Sequence, residues 1–471
     1  MAFDSFSEYR VTKGASASNV NGGGPRFGAN DGPTYALAAG ANGATAVDNG
    51  ANSDVTDLSG GKWGDTQVDD MLCFDTAGLK EFAMVMAIDV GANENLITVF
   101  PQLTAAAEKA CNVCGAWKSV NHAAATAANA TFTNAAADPI RVSIGPGTYA
   151  PSDGPDSDEV EFLHAGMVGQ PITFEGYKTN PGDLDTGVKE DFPTIDGEAG
   201  ALQAGTLLMG AGIDYLRVRN LHILAETASK RCISTSSDSS VFERLWLKAT
   251  GTSAHALFIT AGYYNYLHDI YVESAKGYGI YSTQGDCISS CHIQTAGTGI
   301  HAGSYSKVVN CIIEGITSGN CLEVGGNNIF VDGCIFYGCD HGSGIKVTSS
   351  TLLQVTNCIF DTMNQYAIEG SATTFITEAH NSFRSCSQGV RDANIRSDPV
   401  GNTTHGADPF VDAAGHDFSL NNNDPGGAQL RVNGFPGTML DGTNIGYRDI
   451  GPLQHEESAG GGRLIDGGLV G

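Results

Sequence analysis

Four charged residues recur at nearly constant intervals. Glu323, Lys346, Glu369 and Arg391 are spaced 23, 23 and 22 residues apart, and His301 precedes Glu323 by 22. If the chain returns on itself at that period, these side chains stack and the last four alternate in sign. Stacked opposite charges attract across a sheet by about 0.2–1 kcal/mol per pair, so a solvated ladder that fixes register is one reading. The catalytic reading takes Glu323 and Glu369 as a carboxylate pair, with His301 beside them. Two repeats at strand spacing put them about 9.6 Å apart, near the upper limit for an inverting glycosidase. Lys346 between them would lower both carboxyl pKa values, which suits a base more than an acid.

A second series carries bulk instead of charge. His222, Trp246, Tyr271, His292, Ile312, Ile335 and Ile359 occupy one outward position of successive repeats. A stripe of this kind is too apolar to leave wet. Three readings are open: a cover supplied by the same chain, a subunit interface (most naturally a trimer of parallel solenoids), or a sugar-stacking platform at Trp246 and Tyr271. Trp246, Tyr271, Ile312, Ile335 and Ile359 are thus the candidate partner or ligand contacts. The adjacent inward series reads Leu221, Leu245, Ile270, Cys291, Cys311, Cys334, Cys358. Cysteine is a small hydrophobe that fits a narrow interior, so four thiols are expected to stack there unbridged.

The elements that position these columns follow from a repeat. Its pattern is apolar, any, turn residue, apolar, any, apolar, as in Val218–Ile223, Leu267–Val272, Val331–Phe336 and Val355–Phe360. The turn positions 220, 244, 269, 290, 310, 333, 357 and 380 are spaced 24, 25, 21, 20, 23, 24 and 23. Side chains alternate along a strand, so apolar residues on either side of the turn share an interior only if the backbone bends there. Asn, Asp and Gly at the bend tolerate left-handed backbone. A second apolar marker follows in each repeat: Ile233, Leu257, Ile280, Ile300, Leu322, Ile345, Ile368 and Val390. Two strands at a corner and a third beyond it make a triangular coil of about 23 residues.

Composition excludes other classes. The 471 residues carry 25 Lys+Arg against 52 Asp+Glu, a formal net charge of −27, and only 16% are charged. General nucleic-acid binding needs clustered cations, and anionic membranes or sugars would repel the chain unless a cation bridges them. No apolar run approaches the ~18 residues that span a bilayer. No basic stretch followed by an apolar one stands near Met1, so the expectation is synthesis in the cytoplasm without a signal peptide, and a virion or extracellular place after release. Cys111 and Cys114 have a metal or redox spacing without a second pair and read as structural. No cofactor or metal is expected. Asp69, Asp70, Asp156, Asp158 and Glu159 could hold a structural Ca2+, but loop carboxylates of this kind read as facing water.

A serine-capped alanine run at Ser119–Asn129, the strand Ile140–Ile144 and the turn Gly145–Tyr149 resemble the entrance of right-handed parallel β-helix proteins, in which a helix covers the open end of the coil. The resemblance, together with the repeat, implies an all-β chain: residues 1–62 irregular and Gly/Ala-rich, 63–118 a small β module, 119–400 a β-helix with its short capping helix, 401–457 a terminal coil and cap, 458–471 a Gly-rich tail. The catalytic motifs of pectinase-like hydrolases and the aspartate cluster of calcium-dependent pectate lyases are missing; Gly285-Asp286 resembles a paired-aspartate segment but has one aspartate. The leading expectation is therefore a structural or adhesive protein of the phage tail spike, fibre or capsid-surface kind, homotrimeric, with other virion proteins as partners and a surface polysaccharide as ligand. The alternatives are a polysaccharide lyase or glycosidase and a bacterial surface or scaffold protein.

Overall fold

The computed structural model describes residues 7–11, 36–37, 44–49, 52–57, 71–76, 79–88, 96–100, 106–114, 140–149, 160–163, 165–168, 171–178, 189–197, 205–226, 230–349, 352–370, 375–423, 425–430, 436–438 and 444–447. The helix expected at Ser119–Asn129, the tail 458–471 and the carboxylates at 69, 70, 156, 158 and 159 lie outside them.

The chain divides into two units. The first holds residues 1–185, 191–196 and 215–220. It contains a seven-stranded antiparallel sheet built from strands between Ala36 and Cys114. Residues 44–57, expected to be irregular, form a hairpin in it, Ala44–Asn49 against Asn52–Asp57. Their Asn and Ser content hides the pairing, because only Val55 and Ile97 of the described side chains there are fully buried. Cys111 and Cys114 fall in the strand Ala106–Cys114, in register with Phe74 and Met71. In the same unit Ser7–Val11 pairs in parallel with Ile140–Ile144, which pairs in parallel with Ile172–Gly176.

The second unit holds residues 186–190, 197–214 and 221–471. It is a parallel β-helix of about eight turns. Its bends fall at Arg244, Asp269, Ser290, Asn310, Gly333, Asn357, His380 and Gly401, and every one has a φ between 50° and 65°. The sequence expectation of a left-handed corner holds from Arg244 to His380, and Gly401 adds a bend beyond the expected series. Glycine at 333 and 401 meets that geometry without the Cβ crowding that an L side chain brings.

Strands before the bend form the first sheet, for example Lys307–Val309, Ile329–Asp332 and Leu352–Thr356. Strands after it form the second, such as Ile312–Ile316, Ile335–Cys339 and Ile359–Met363. The third runs through Arg231–Thr235, His255–Ile259, residues 278–281, Ala296–Ala302, Leu322–Val324, Ile345–Val347 and Tyr366–Glu369. Its interior column is Ile233, Leu257, Ile280, Ile300, Leu322, Ile345 and Ile368, all fully buried. Each such side chain contributes about 1.5–3 kcal/mol by leaving water. On the second sheet Phe336, Phe360 and Phe383 stack inside with centroids 4.8 and 5.2 Å apart.

The thiol column is present. Cys291, Cys311, Cys334 and Cys358 are buried, and none is bridged. Their flanking residues pair rung to rung: Ser289 with Val309, Val309 with Asp332, and Asp332 with Thr356. Each thiol donates to a carbonyl near the bend, as from Cys311 to Val309 at 3.4 Å and from Cys358 to Thr356 at 3.1 Å.

Past the last bend the chain turns back along the second sheet. Phe410–Asp412 and Asp417–Leu420 form a hairpin. Phe410, Ala413, Phe418, Leu420 and Leu430 pack in one cluster with Ile335 and Ile359, and Ile312 and Tyr337 lie against it.

Candidate functional site

On the third sheet, the residues beside the interior column point outward because strand side chains alternate. Phe258, Tyr281, His301, Glu323, Lys346 and Glu369 are consecutive register partners. All six are half-buried. The first three stack ring on ring: Phe258 to Tyr281 at 4.4 Å and Tyr281 to His301 at 4.3 Å, both with 14° between planes. Arg231 caps the ladder, its guanidinium 3.8 Å from the Phe258 centroid. A parallel column holds His255 and Tyr278, with rings 5.5 Å apart.

Each charged group is held. Glu323 accepts from Asn320 Nδ2 at 3.0 Å and from the Tyr278 hydroxyl at 3.4 Å. Glu369 accepts from Ser343 Oγ at 2.8 Å and pairs with Lys346 Nζ at 3.1 Å. His301 Nδ1 lies 3.1 Å from the Ser282 carbonyl and donates to it, so Nε2 is left to accept or deliver a proton. A Cβ at Gly325 would come within 2.6 Å of that Nε2, so Gly325 leaves the ring its room. His255 differs: its Nδ1 accepts from Tyr278 N at 2.9 Å. Burial, aided by Arg231, pushes its pKa down to about 4. Burial and the Glu323 carboxylate hold the Tyr278 hydroxyl above its usual value.

Chemically, this face offers rings, donors and two carboxylates two rungs apart, with a histidine one rung above the first. His301, with Nδ1 committed to the Ser282 carbonyl and Nε2 left over, is the group of this set placed to move a proton. The fallback residues His301, Glu323 and Glu369 are thus brought onto one face. Tyr278, Asn320, Phe258 and Arg231 were missed. Tyr278 had a signal, since it lies two residues before Ile280 and shares its strand.

Arg391 does not continue the ladder. It pairs in register with Ile368, not Glu369, and Val390 leaves the interior column. The reason is Glu378, fully buried in the position that Val355 holds one coil earlier. Arg391 forks onto it with Nε–Oε1 at 2.6 Å and Nη2–Oε2 at 2.7 Å. A buried carboxylate needs such a partner, and that need outweighs a surface pair.

The apolar stripe is covered by the chain itself. Ile335 and Ile359 are 1% and 0% exposed beneath the terminal hairpin, so they are not available as partner contacts. Trp246 is buried, with its ring centroid 4.1 Å from that of Tyr271 and Lys189 Nζ 5.6 Å away. Tyr271 donates to Gln294 Oε1. Trp246 thus has little surface left for a sugar, while Tyr271 stays half-buried. Beside them, burial works against ionisation of Glu273, but Lys189 and Lys248 outweigh it and hold its pKa near 2. Further along, Glu314 accepts from His292 at 2.6 Å and from His416 of the terminal segment at 2.9 Å. These bonds fasten the cover.

Two other constellations are structural. Asp286 is fully buried and accepts from Ser282 Oγ at 2.7 Å and Asn265 N at 2.8 Å. Burial raises its carboxyl to about 6. Ser382 Oγ lies 2.7 Å from His405 Nδ1, and His405 Nε2 is 3.8 Å from Asp361. That trio has the residue types of a nucleophilic site, but Arg384 forks onto Asp361 and all three are buried under the cover.

Residues 255–404 match the family described as right handed beta helix region. This stretch is the right-handed parallel β-helix that the repeat predicts. No curated protein matches the chain. Among solved structures, pectate lyase Pel9A matches with 14% identity over 68% of this chain and 90% of its own, at a TM-score of 0.49. A rhamnogalacturonan lyase matches with 13% identity over 71% and 91%, at 0.38. The GH136 lacto-N-biosidase of Eubacterium ramulus matches with 10% identity over 62% and 65%, at 0.34.

Proposed function

We propose that this chain is a carbohydrate-active β-helix protein. A polysaccharide lies along the outer face of the third sheet and is cleaved there, with His301 and Glu323 as the proton-moving pair. The observation that carries this reading is their stacking on adjacent rungs, solvent-facing, at the end of a ring ladder. Of the two main readings of the sequence, the carbohydrate-active one fits this face. One rung, about 4.8 Å, suits removal of a proton and delivery of another on the same side of a sugar, as in elimination. Glu323 and Glu369, two rungs or about 9.6 Å apart, stand at the upper limit of the spacing for inverting hydrolysis. The product separates the two, because only elimination leaves an unsaturated end.

The test is incubation of the full chain with neutral and uronate polysaccharides, following reducing ends and unsaturated-uronate absorbance. Cleavage is expected, and His301→Ala or Glu323→Gln should lower it by a factor on the order of 10²–10⁴. A second reading, adhesion without cleavage, draws on the donors that already satisfy both carboxylates; binding without cleavage would favour it. Neither binding nor cleavage overturns both. A trimeric virion protein is a separate proposal for which the covered stripe no longer argues. Light scattering of the pure protein tests the trimer.

A further inference from the structure

Four exposed tyrosines stand at one corner of the coil, where the third strand of one turn leads to the first strand of the next. Tyr263, Tyr264, Tyr266 and Tyr305 are 41, 73, 40 and 56% exposed. Residues 239, 264, 285, 305 and 328 occupy equivalent corner positions, because the residues after them bond rung to rung: Tyr266 N to the Ser240 carbonyl, Cys287 N to Asn265, Lys307 N to Asp286 and Phe330 N to Ser306. All five corner residues are left-handed: Ser239 at φ 53°, Tyr264 at 59°, Gly285 at 71°, Tyr305 at 63° and Asn328 at 58°. Glycine and asparagine suit that backbone; a bulky side chain there is an outlier. Tyr264 and Tyr305 accept the unfavourable backbone without gaining burial, so their rings serve something other than the fold.

Their spacing says what. The rung between them is Gly285, and a Cβ there would come within 3.1 Å of the Tyr264 ring. Two rungs are about 9.6 Å. That span matches the disaccharide repeat of an extended β-1,4-linked hexopyranose chain, in which every second sugar turns the same C–H face to one side. Tyrosine combines an apolar ring with a polar tip and little entropy to lose on binding. Lys307 follows Tyr305 by two residues, and the chain as a whole carries −27, so a neutral polymer fits better than a uronate one.

We infer that this corner is a second polysaccharide-binding site, separate from His301 and Glu323. It takes a neutral β-1,4-linked hexopyranose chain laid along the coil axis. Tyr264 and Tyr305 stack on alternate sugars, flanked by Tyr263 and Tyr266. The site does not depend on cleavage at the third sheet.

Calorimetric titration of the full chain with cellohexaose and mannohexaose tests it, with oligogalacturonate as the charged control. The wild type is expected to bind at least one of the two neutral oligosaccharides and to bind it better than the control. The double variant Tyr264→Gly, Tyr305→Asn should weaken that binding at least tenfold without lowering the melting temperature, because both new residues suit the corner. Three results would overturn the inference: no binding of either neutral chain, unchanged binding in the corner variant, or a corner variant that loses binding and stability together.

Discussion

The second and third sheets present outer faces of opposite fate. On the second, isoleucines at 312, 335 and 359 and the ring of Tyr337 lie under the terminal hairpin. On the third, rings and charges from Phe258 to Glu369 stay half-exposed. Both are outward columns of the same coil with the same rung spacing. What separates them is whether a later segment brings matching apolar groups, as Phe410 and Phe418 do. An outward column therefore cannot be assigned to solvent or partner before the whole chain is laid down.

The sharpest way to break this contrast is to charge the covered face. Ile335→Asp should cost on the order of 4 kcal/mol and make segment 408–430 sensitive to protease, read by urea melts and timed digestion. Tyr281→Ser on the open face should cost at most about 1 kcal/mol. Equal costs would mean that the two faces do not differ as described. Arg391→Ala comes next. It leaves the Glu378 carboxylate buried without its forked partner and should cost about 3 kcal/mol, whereas Lys346→Ala, which opens a surface pair to Glu369, should fall within about 0–1 kcal/mol.

Asp286 sharpens the comparison from inside the coil. Its folded carboxyl titrates near 6, above an ordinary value near 3.9, so the folded state holds that proton more tightly than the unfolded one. Its contribution to stability is therefore present at low pH and is lost as pH rises from about 4 to about 6. Asp286→Asn should remove that slope and gain on the order of 2 kcal/mol relative to the wild type at pH 7. Melting temperatures of both proteins across that range give the answer, and parallel curves would refute it.

The sequence disclosed the bends, the interior columns and the thiol stack because every rung repeats the same geometric demand. His301, Glu323 and Glu369 were reachable by the same route. Arg391 was not, since the pull of Glu378 from the neighbouring sheet appears in no period. A cover supplied by the same chain was one of three open readings, but its residues were not legible, because Phe410, His416 and Phe418 belong to no repeat and meet the second sheet only through long-range packing. Tyr278 and Asn320 sit beside the counted columns, where a pattern read one position at a time passes over them.

The stacked thiols have a consequence for the chemistry of the coil. Cys291, Cys311, Cys334 and Cys358 are sealed from solvent and unbridged. An oxidant has no solvent path to these thiols, and a reductant finds no bridge to cut. Cohesion at this column thus rests on packing and on thiol-to-carbonyl bonds, not on a bridge.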